Sequence, residues 1–209
     1  MEKLYYLPGA CSLAVHIALE WAGAKYQAIA VERGGELIKS LNPHGAVPVL
    51  VDSEGEVLTQ AAAILLDLAE RYPAAHLAGD ADSRRAVLRY LAFCNADLHP
   101  AHAPYFAPQR FLPHGSEAEF EALREAAMGR ISGLYEWLAG ELAGRDYFAG
   151  DRPTIADAYG YTVMRWSRNM THPATRFAPL HGFIARMEQN AGVINALIAE
   201  GLETLIAIS

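Results

Sequence analysis

The spacing of apolar residues changes character once, around Tyr72-Pro73, and that change limits the chain to two kinds of structure joined in series. Before it, short strand-like runs alternate with helix-like ones. Leu4 to Leu7 is a compact apolar run stopped by Pro8-Gly9. From Ser12 the period shifts: Ala14, Ile17, Ala18 and Trp21 recur at i, i+3, i+4 and i+7, one face of a helix that ends at Gly23. Ala28 to Val31 reads as a second strand and Glu36 to Leu41 as a short helix, before Asn42-Pro43-His44-Gly45 breaks the chain. Pro48 opens the strand Val49-Leu50-Val51, Glu54-Gly55 turns, and Val57-Leu58 completes a hairpin. The helix after Thr59 carries Ile64, Leu65 and Leu68 on one side and ends near Arg71. The order is βαβ-α-ββα. A four-stranded mixed sheet with helices packed on it buries those faces.

Pro73 cannot continue a helix, so the stretch to Asp82 reads as a linker. Every later segment has helical period. Arg84 to about Tyr105 carries Val87, Leu91 and Leu98. Glu117 to Leu142 carries Leu123, Ala127, Ile131, Leu134, Leu138 and Leu142 in steps of three or four. Thr154-Ile155-Ala156-Asp157 has the form of a capping box and opens a helix presenting Ile155, Ala158, Tyr159, Thr162 and Trp166 on one face. Two shorter helices finish the chain, with Gly192 between them. The expected architecture is an α/β domain over residues 1–75 followed by an all-α domain over residues 83–209.

Composition narrows the function. With 52% hydrophobic and 20% charged residues the chain can build ordinary cores. A formal net charge of −7 and no run of Lys or Arg argue against sequence-independent nucleic-acid binding, which needs a basic face. No apolar stretch approaches the roughly 18 residues of a membrane span, and the first residues lack an export pattern. The expectation is a cytoplasmic protein without a membrane partner. The only cysteines, Cys11 and Cys94, offer neither a disulfide framework nor zinc-ligand spacing. His99 and His102 share a helix face but have no evident third ligand, so no metal is expected.

Tyr6-Leu7-Pro8-Gly9-Ala10-Cys11-Ser12 is the most informative segment. It puts a thiol and a hydroxyl where a strand ends and a helix begins, and helix N-termini stabilise anions through unpaired N–H groups. There Cys11 would have a lowered pKa, or Cys11 and Ser12 would hold an incoming thiolate. The plainer alternative makes Ser12 an N-cap and Cys11 a small buried apolar residue. Cys11-Ser12-Leu13-Ala14 has no resolving cysteine, so a dithiol cycle is not expected; a second sulfur has to come from a small molecule. Val47-Pro48 at a strand start is either a plain trans proline or a cis bond that turns the Val47 backbone toward a peptide-like ligand. Thr59-Gln60-Ala61 sits at another helix start, where a ligand carboxylate would meet backbone N–H groups.

Taken in order, these pieces resemble the glutathione transferases, and Pro8-Gly9-Ala10-Cys11-Ser12 is most similar to the bacterial beta class. The resemblance runs on through Asn42-Pro43, Gly45, Val47-Pro48, Leu58-Thr59-Gln60, Asp97-Leu98-His99, Thr154 to Tyr159 and Arg165-Trp166. It implies a thioredoxin-like N-terminal domain that holds glutathione as co-substrate. It also implies that Cys11, Ser12 and His99 are catalytic, and that Tyr6, Val47, Pro48, Gln60 and Ala61 bind glutathione. Tyr105, Phe106, Phe111 and Trp166, on the helical segments, are the expected lining of an apolar second-substrate pocket. The family further implies a homodimer and a hydrophobic electrophile as the second reactant.

The chain departs from the pattern in places. Ala61 stands where serine is common, Ala46 where glutamine is common, and no lysine matches the one that holds the glycine carboxylate. Pro100 follows His99 and is expected to kink that helix. The implied reaction is attack of an activated glutathione thiolate on an electrophile, or thiol–disulfide exchange through Cys11. The alternative is a non-catalytic ligand-binding or protein-interaction module on the same fold.

Overall fold

A computed structural model describes residues 1–206. In its first part β1 (Glu2–Tyr6), α1 (Ser12–Ala22), β2 (Tyr26–Ala30), α2 (Glu36–Leu41), β3 (Val49–Val51), β4 (Val57–Thr59) and α3 (Ala61–Arg71) follow one another, as the periodicity predicts. The sheet order is β2-β1-β3-β4, with β1 parallel to β2 and both remaining pairs antiparallel. Leu4 pairs with Leu50, which pairs with Leu58, so one apolar row crosses three strands. Tyr5 lies on the opposite face, with Ile38 of α2 and Val49.

α1 departs from its expected single face. All eight residues from Ser12 to Leu19 are buried, because α3 and the sheet cover one side and the helical half covers the other. A helix enclosed this way is apolar all round. Its N-terminus is therefore held at the seam between the two halves of the chain.

The second half comprises α4 (Arg84–Phe93), a π-turn (Cys94–Leu98), two short pieces α5 (His99–Ala101) and α6 (Ala103–Phe106), then α7 (Glu117–Leu142), α8 (Ile155–Arg165), α9 (Ala178–Met187) and α10 (Ala191–Ala199). The expected single helix from Arg84 to Tyr105 is thus broken into pieces. Pro100 has no N–H to give and its ring crowds the carbonyl four residues back, and the wider turn sits just before it. The expected face of α8 is also an understatement, since all eleven of its residues are buried. Asp157 at its start accepts from the backbone N–H of Thr154 and of Phe148, both at 2.8 Å, and from the Thr154 hydroxyl at 2.7 Å.

Gly192 does not separate the last two helices. It lies in the first turn of α10, where Asn190 caps its N–H at 3.0 Å, and a Cβ there would come within 2.6 Å of the Trp21 ring. Glycine is needed at that position for close packing, not for a break.

Candidate active site

Leu7 to Ala10 forms a tight turn between β1 and α1, closed by Ala10 N–H donating to the Leu7 carbonyl at 3.0 Å, with Gly9 at φ +70°. A left-handed φ of this kind suits glycine. Cys11 then caps α1 without a side-chain bond to the helix, and its thiol donates instead to the Val47 carbonyl at 3.3 Å. The Val47–Pro48 bond is cis. Sulfur, helix terminus and strand-start carbonyl are thereby brought together.

The expected lowering of the Cys11 pKa is overturned. Burial pushes the thiol up to about 11; the N–H groups of Cys11 and Ser12 and the charge of Arg33 pull it down, but by less. Desolvating a thiolate outweighs the helix-end field here, so Cys11 is a neutral S–H, a hydrogen-bond donor.

The helical half supplies the facing wall. Tyr159 on α8 is buried, and burial raises the pKa of its phenol. Its hydroxyl lies 2.8 Å from His99 Nδ1 and donates to Asn95 Oδ1 at 3.3 Å. The Trp166 ring stands edge-on to the His99 ring, centroids 4.7 Å apart, and Phe106 packs beyond it at 6.4 Å. Burial lowers the His99 pKa and keeps the imidazole neutral at neutral pH.

Both polar groups of Gly9 are held from the far end of the chain. Its carbonyl accepts from Trp166 Nε1 at 2.8 Å, and its N–H donates to Glu200 Oε2 at 2.8 Å. The other oxygen of Glu200 meets His16 Nδ1 of α1 at 2.9 Å, in full burial. The turn that delivers Cys11 is thus fixed by residues of the helical half.

Comparison with known proteins places this arrangement. The model of the glutathione S-transferase N-terminal domain matches residues 9–71, and that of the C-terminal domain matches residues 93–190. The glutathione S-transferase GST-4.5 of Xanthomonas campestris pv. campestris is 40% identical over 207 residues, covering 96% of this chain and 99% of its own. The chain belongs to the glutathione S-transferase family. Among solved family structures, a sphingomonad glutathione S-transferase complexed with glutathione aligns with a TM-score of 0.84 at 36% identity, over 96% of this chain and 100% of its own. The beta-class glutathione S-transferase of Sphingomonas chungbukensis aligns with the same score at 32% identity and the same coverage. The fold is accordingly the thioredoxin-like domain followed by helices, and no described helix is long and apolar enough to cross a membrane.

Within this glutathione S-transferase fold the residues singled out by sequence separate into two groups. Cys11, Val47 and Pro48 meet directly, while His99, Trp166 and Phe106 form one cluster with Tyr105, whose ring is 5.3 Å from Phe106. Gln60 is exposed at φ +72° just before α3, and Ala61 is the buried first residue of that helix.

The others lie differently from expectation. Ser12 is fully buried as the first residue of α1 rather than its cap, and its hydroxyl exchanges bonds with the Leu7 backbone, donating to the carbonyl at 3.2 Å and accepting from the N–H at 3.3 Å. That leaves it no free proton for a ligand. Tyr6 turns its hydroxyl to the Ala199 carbonyl at 3.4 Å and its ring toward His16. Phe111 is half exposed and enters no ring contact among the described residues.

Three further residues of the site were given no role there from the sequence. Tyr159 stands seven residues before Trp166, on the same helical face, and that spacing was a usable signal. Arg33 is the only cation between β2 and α2. Glu200 had no signal, since nothing local ties it to Gly9. Among the described residues no three His, Cys, Asp or Glu side chains are grouped to hold a metal. The clefts beside His76 and Arg152 and beside Asp80 and Ser83 contain none of the site residues.

Proposed function

We propose that this protein catalyses attack of a glutathione thiolate on a hydrophobic electrophile in the cleft between Cys11 and the His99–Trp166 wall. The observation that carries the reading is the Cys11 thiol at the start of α1, 3.3 Å from the Val47 carbonyl, on a turn that Trp166 ties at Gly9 while packing on the His99 ring. Once it turns from the Val47 carbonyl, a neutral Cys11 S–H donates to a neighbouring thiolate, whereas a second thiolate would repel it. The glutathione S–H gives its proton to His99 as general base. The thiolate then forms the bond to carbon as the leaving group departs with its electron pair. The same neutrality counts against thiol–disulfide exchange, which needs Cys11 itself as thiolate.

In this reading the Val47 backbone pairs with the cysteinyl unit of glutathione, with Pro48 shaping that edge. Gln60 and the Ala61 N–H take the γ-glutamyl carboxylate, and Arg33 supplies the cation for the glycine carboxylate. Tyr105, Phe106 and Trp166 line the electrophile side. Ser12 and Tyr6 act on the framework and not on the ligand. The division at 1–75 and 83–209, a cytoplasmic setting and a homodimer belong to the same proposal. The half-exposed Leu88 and Trp137 on α4 and α7 offer apolar surface for a second copy, which light scattering after gel filtration tests.

The decisive experiment pairs retention on immobilised glutathione with a chromogenic conjugation assay. Retention and turnover in the unmodified protein, with turnover lost in His99→Ala while retention persists, is the expected result. Retention without turnover toward any of a panel of aryl and alkyl electrophiles would leave a ligand-binding module and sink the enzymatic reading. Arg33→Ala is expected to weaken retention.

A further inference from the structure

The hydroxyl of Tyr159 has one proton and two neighbours. Asn95 Oδ1 lies at 3.3 Å and His99 Nδ1 at 2.8 Å. An amide oxygen only accepts, so the bond to Asn95 uses the Tyr159 proton. The shorter bond then has to run the other way, with His99 Nδ1–H donating to the phenol oxygen. A neutral imidazole carries one N–H, so its other nitrogen, Nε2, is left with a bare lone pair and has no protein partner among the described residues.

We infer that Asn95 and Tyr159 are positioning residues that hold His99 as its Nδ1–H tautomer and so make Nε2 the proton acceptor of the site. The inference rests on the role given to His99 under the proposed function. Local structure supports the geometry. Asn95 lies inside the π-turn and His99 directly follows it, with the His99 N–H bonded to the Cys94 carbonyl five residues back. That wider turn lets both side chains reach one hydroxyl on α8. The edge of Trp166, itself anchored on Gly9, fixes the rotation of the ring.

His102 provides the internal contrast. Its Nδ1 meets the Leu98 carbonyl at 2.8 Å and must donate, and its Nε2 meets the Tyr135 hydroxyl at 3.2 Å and accepts. Both nitrogens are used, so no base is left. The two histidines are three residues apart, yet hydrogen-bond accounting gives only one of them a free lone pair.

The tautomer is directly measurable by long-range proton–nitrogen correlation spectroscopy on the nitrogen-15-labelled protein, with His99→Gln identifying the His99 signals. The unmodified protein is expected to report Nδ1–H. Tyr159→Phe and Asn95→Ala are expected to move His99 toward Nε2–H, while Asn95→Asp, which keeps an accepting oxygen, retains Nδ1–H. Asn95 is exposed, so its variants carry the test even where Tyr159→Phe fails to fold. In the conjugation assay Asn95→Ala should lower kcat by on the order of tenfold, part of what a positioned base contributes. KM for glutathione should stay unchanged, and Asn95→Asp should recover kcat. An Nε2–H tautomer in the unmodified protein, or an unmoved tautomer in Asn95→Ala, overturns the inference. A switched tautomer with full turnover leaves the positioning of the ring standing but overturns Nε2 as the proton acceptor, and with it the role of His99 as base.

Discussion

Trp166 and Gly9 stand 157 positions apart in the chain, and the indole N–H of one donates to the carbonyl of the other at 2.8 Å. The same indole packs edge-on against His99, so one side chain registers both walls of the cleft. Trp166→Phe keeps most of the packing and deletes the bond. It should cost about 1 kcal/mol of stability, the ordinary worth of one hydrogen bond. Turnover should fall by roughly tenfold, because displacement of reacting groups by less than an ångström is felt in the rate. Thermal unfolding and conjugation kinetics on one preparation separate the two effects, and a fall in rate no larger than the loss of folded protein would contradict the registering role.

Cys11 should alkylate slowly at neutral pH. With its pKa raised to about 11 by burial, only about one molecule in ten thousand carries the thiolate at pH 7. Iodoacetamide labelling followed by intact mass should accelerate steeply as pH rises toward 10, while Cys94, enclosed in the core, stays unlabelled. Labelling of Cys11 at pH 7 as fast as that of a free cysteine would show that the helix-end field wins after all.

Asp157→Ala should destabilise the protein by about 3 kcal/mol. The carboxylate is fully buried and serves the N–H groups of Phe148 and Thr154 and the Thr154 hydroxyl. Removing it strands buried donors at the start of the central helix. Urea denaturation checks the figure; a loss under 1 kcal/mol would mean that water replaces the carboxylate.

His102 makes stability depend on pH. Burial lowers its folded pKa to about 4, below the ~6.5 of an unfolded histidine. Between those values the unfolded chain binds a proton that the folded one refuses. The contribution is therefore fully present above pH ~6.5 and lost as pH falls toward ~4, to a total of about 3 kcal/mol. His102→Gln should flatten this limb of the stability curve, as measured by urea midpoints at several pH values. An unchanged slope would assign acid sensitivity elsewhere.

The order of elements was legible because period 2 and period 3.6 patterns need only local sequence, and Glu36–Leu41 was placed to the residue. What failed was the prediction of which faces are buried. α1 and α8 looked one-sided, since a pattern cannot reveal a second layer packed on the opposite face. In the site, Cys11, Val47 and His99 stood out by chemistry and position, whereas Ser12 misled. Its hydroxyl suits a ligand as well as it suits the Leu7 backbone, and only coordinates decide between them. Tyr159 was legible as sharing a face with Trp166, but its bonds to His99 and Asn95 were not, because they join separate helices.

The bond from Gly9 to Glu200 spans 191 positions, so it sets an order of events in the life of each molecule. A ribosome delivers Gly9 and Cys11 first and Glu200 close to two hundred residues later, about ten to forty seconds on at ordinary synthesis rates. For most of that interval the turn before Cys11 lacks both Trp166 and Glu200, and the thiol has no wall to face. The sulfur is therefore among the earliest atoms made and among the last to be put in place, and a nascent chain carries it as an ordinary cysteine, open to the reagents of the cell.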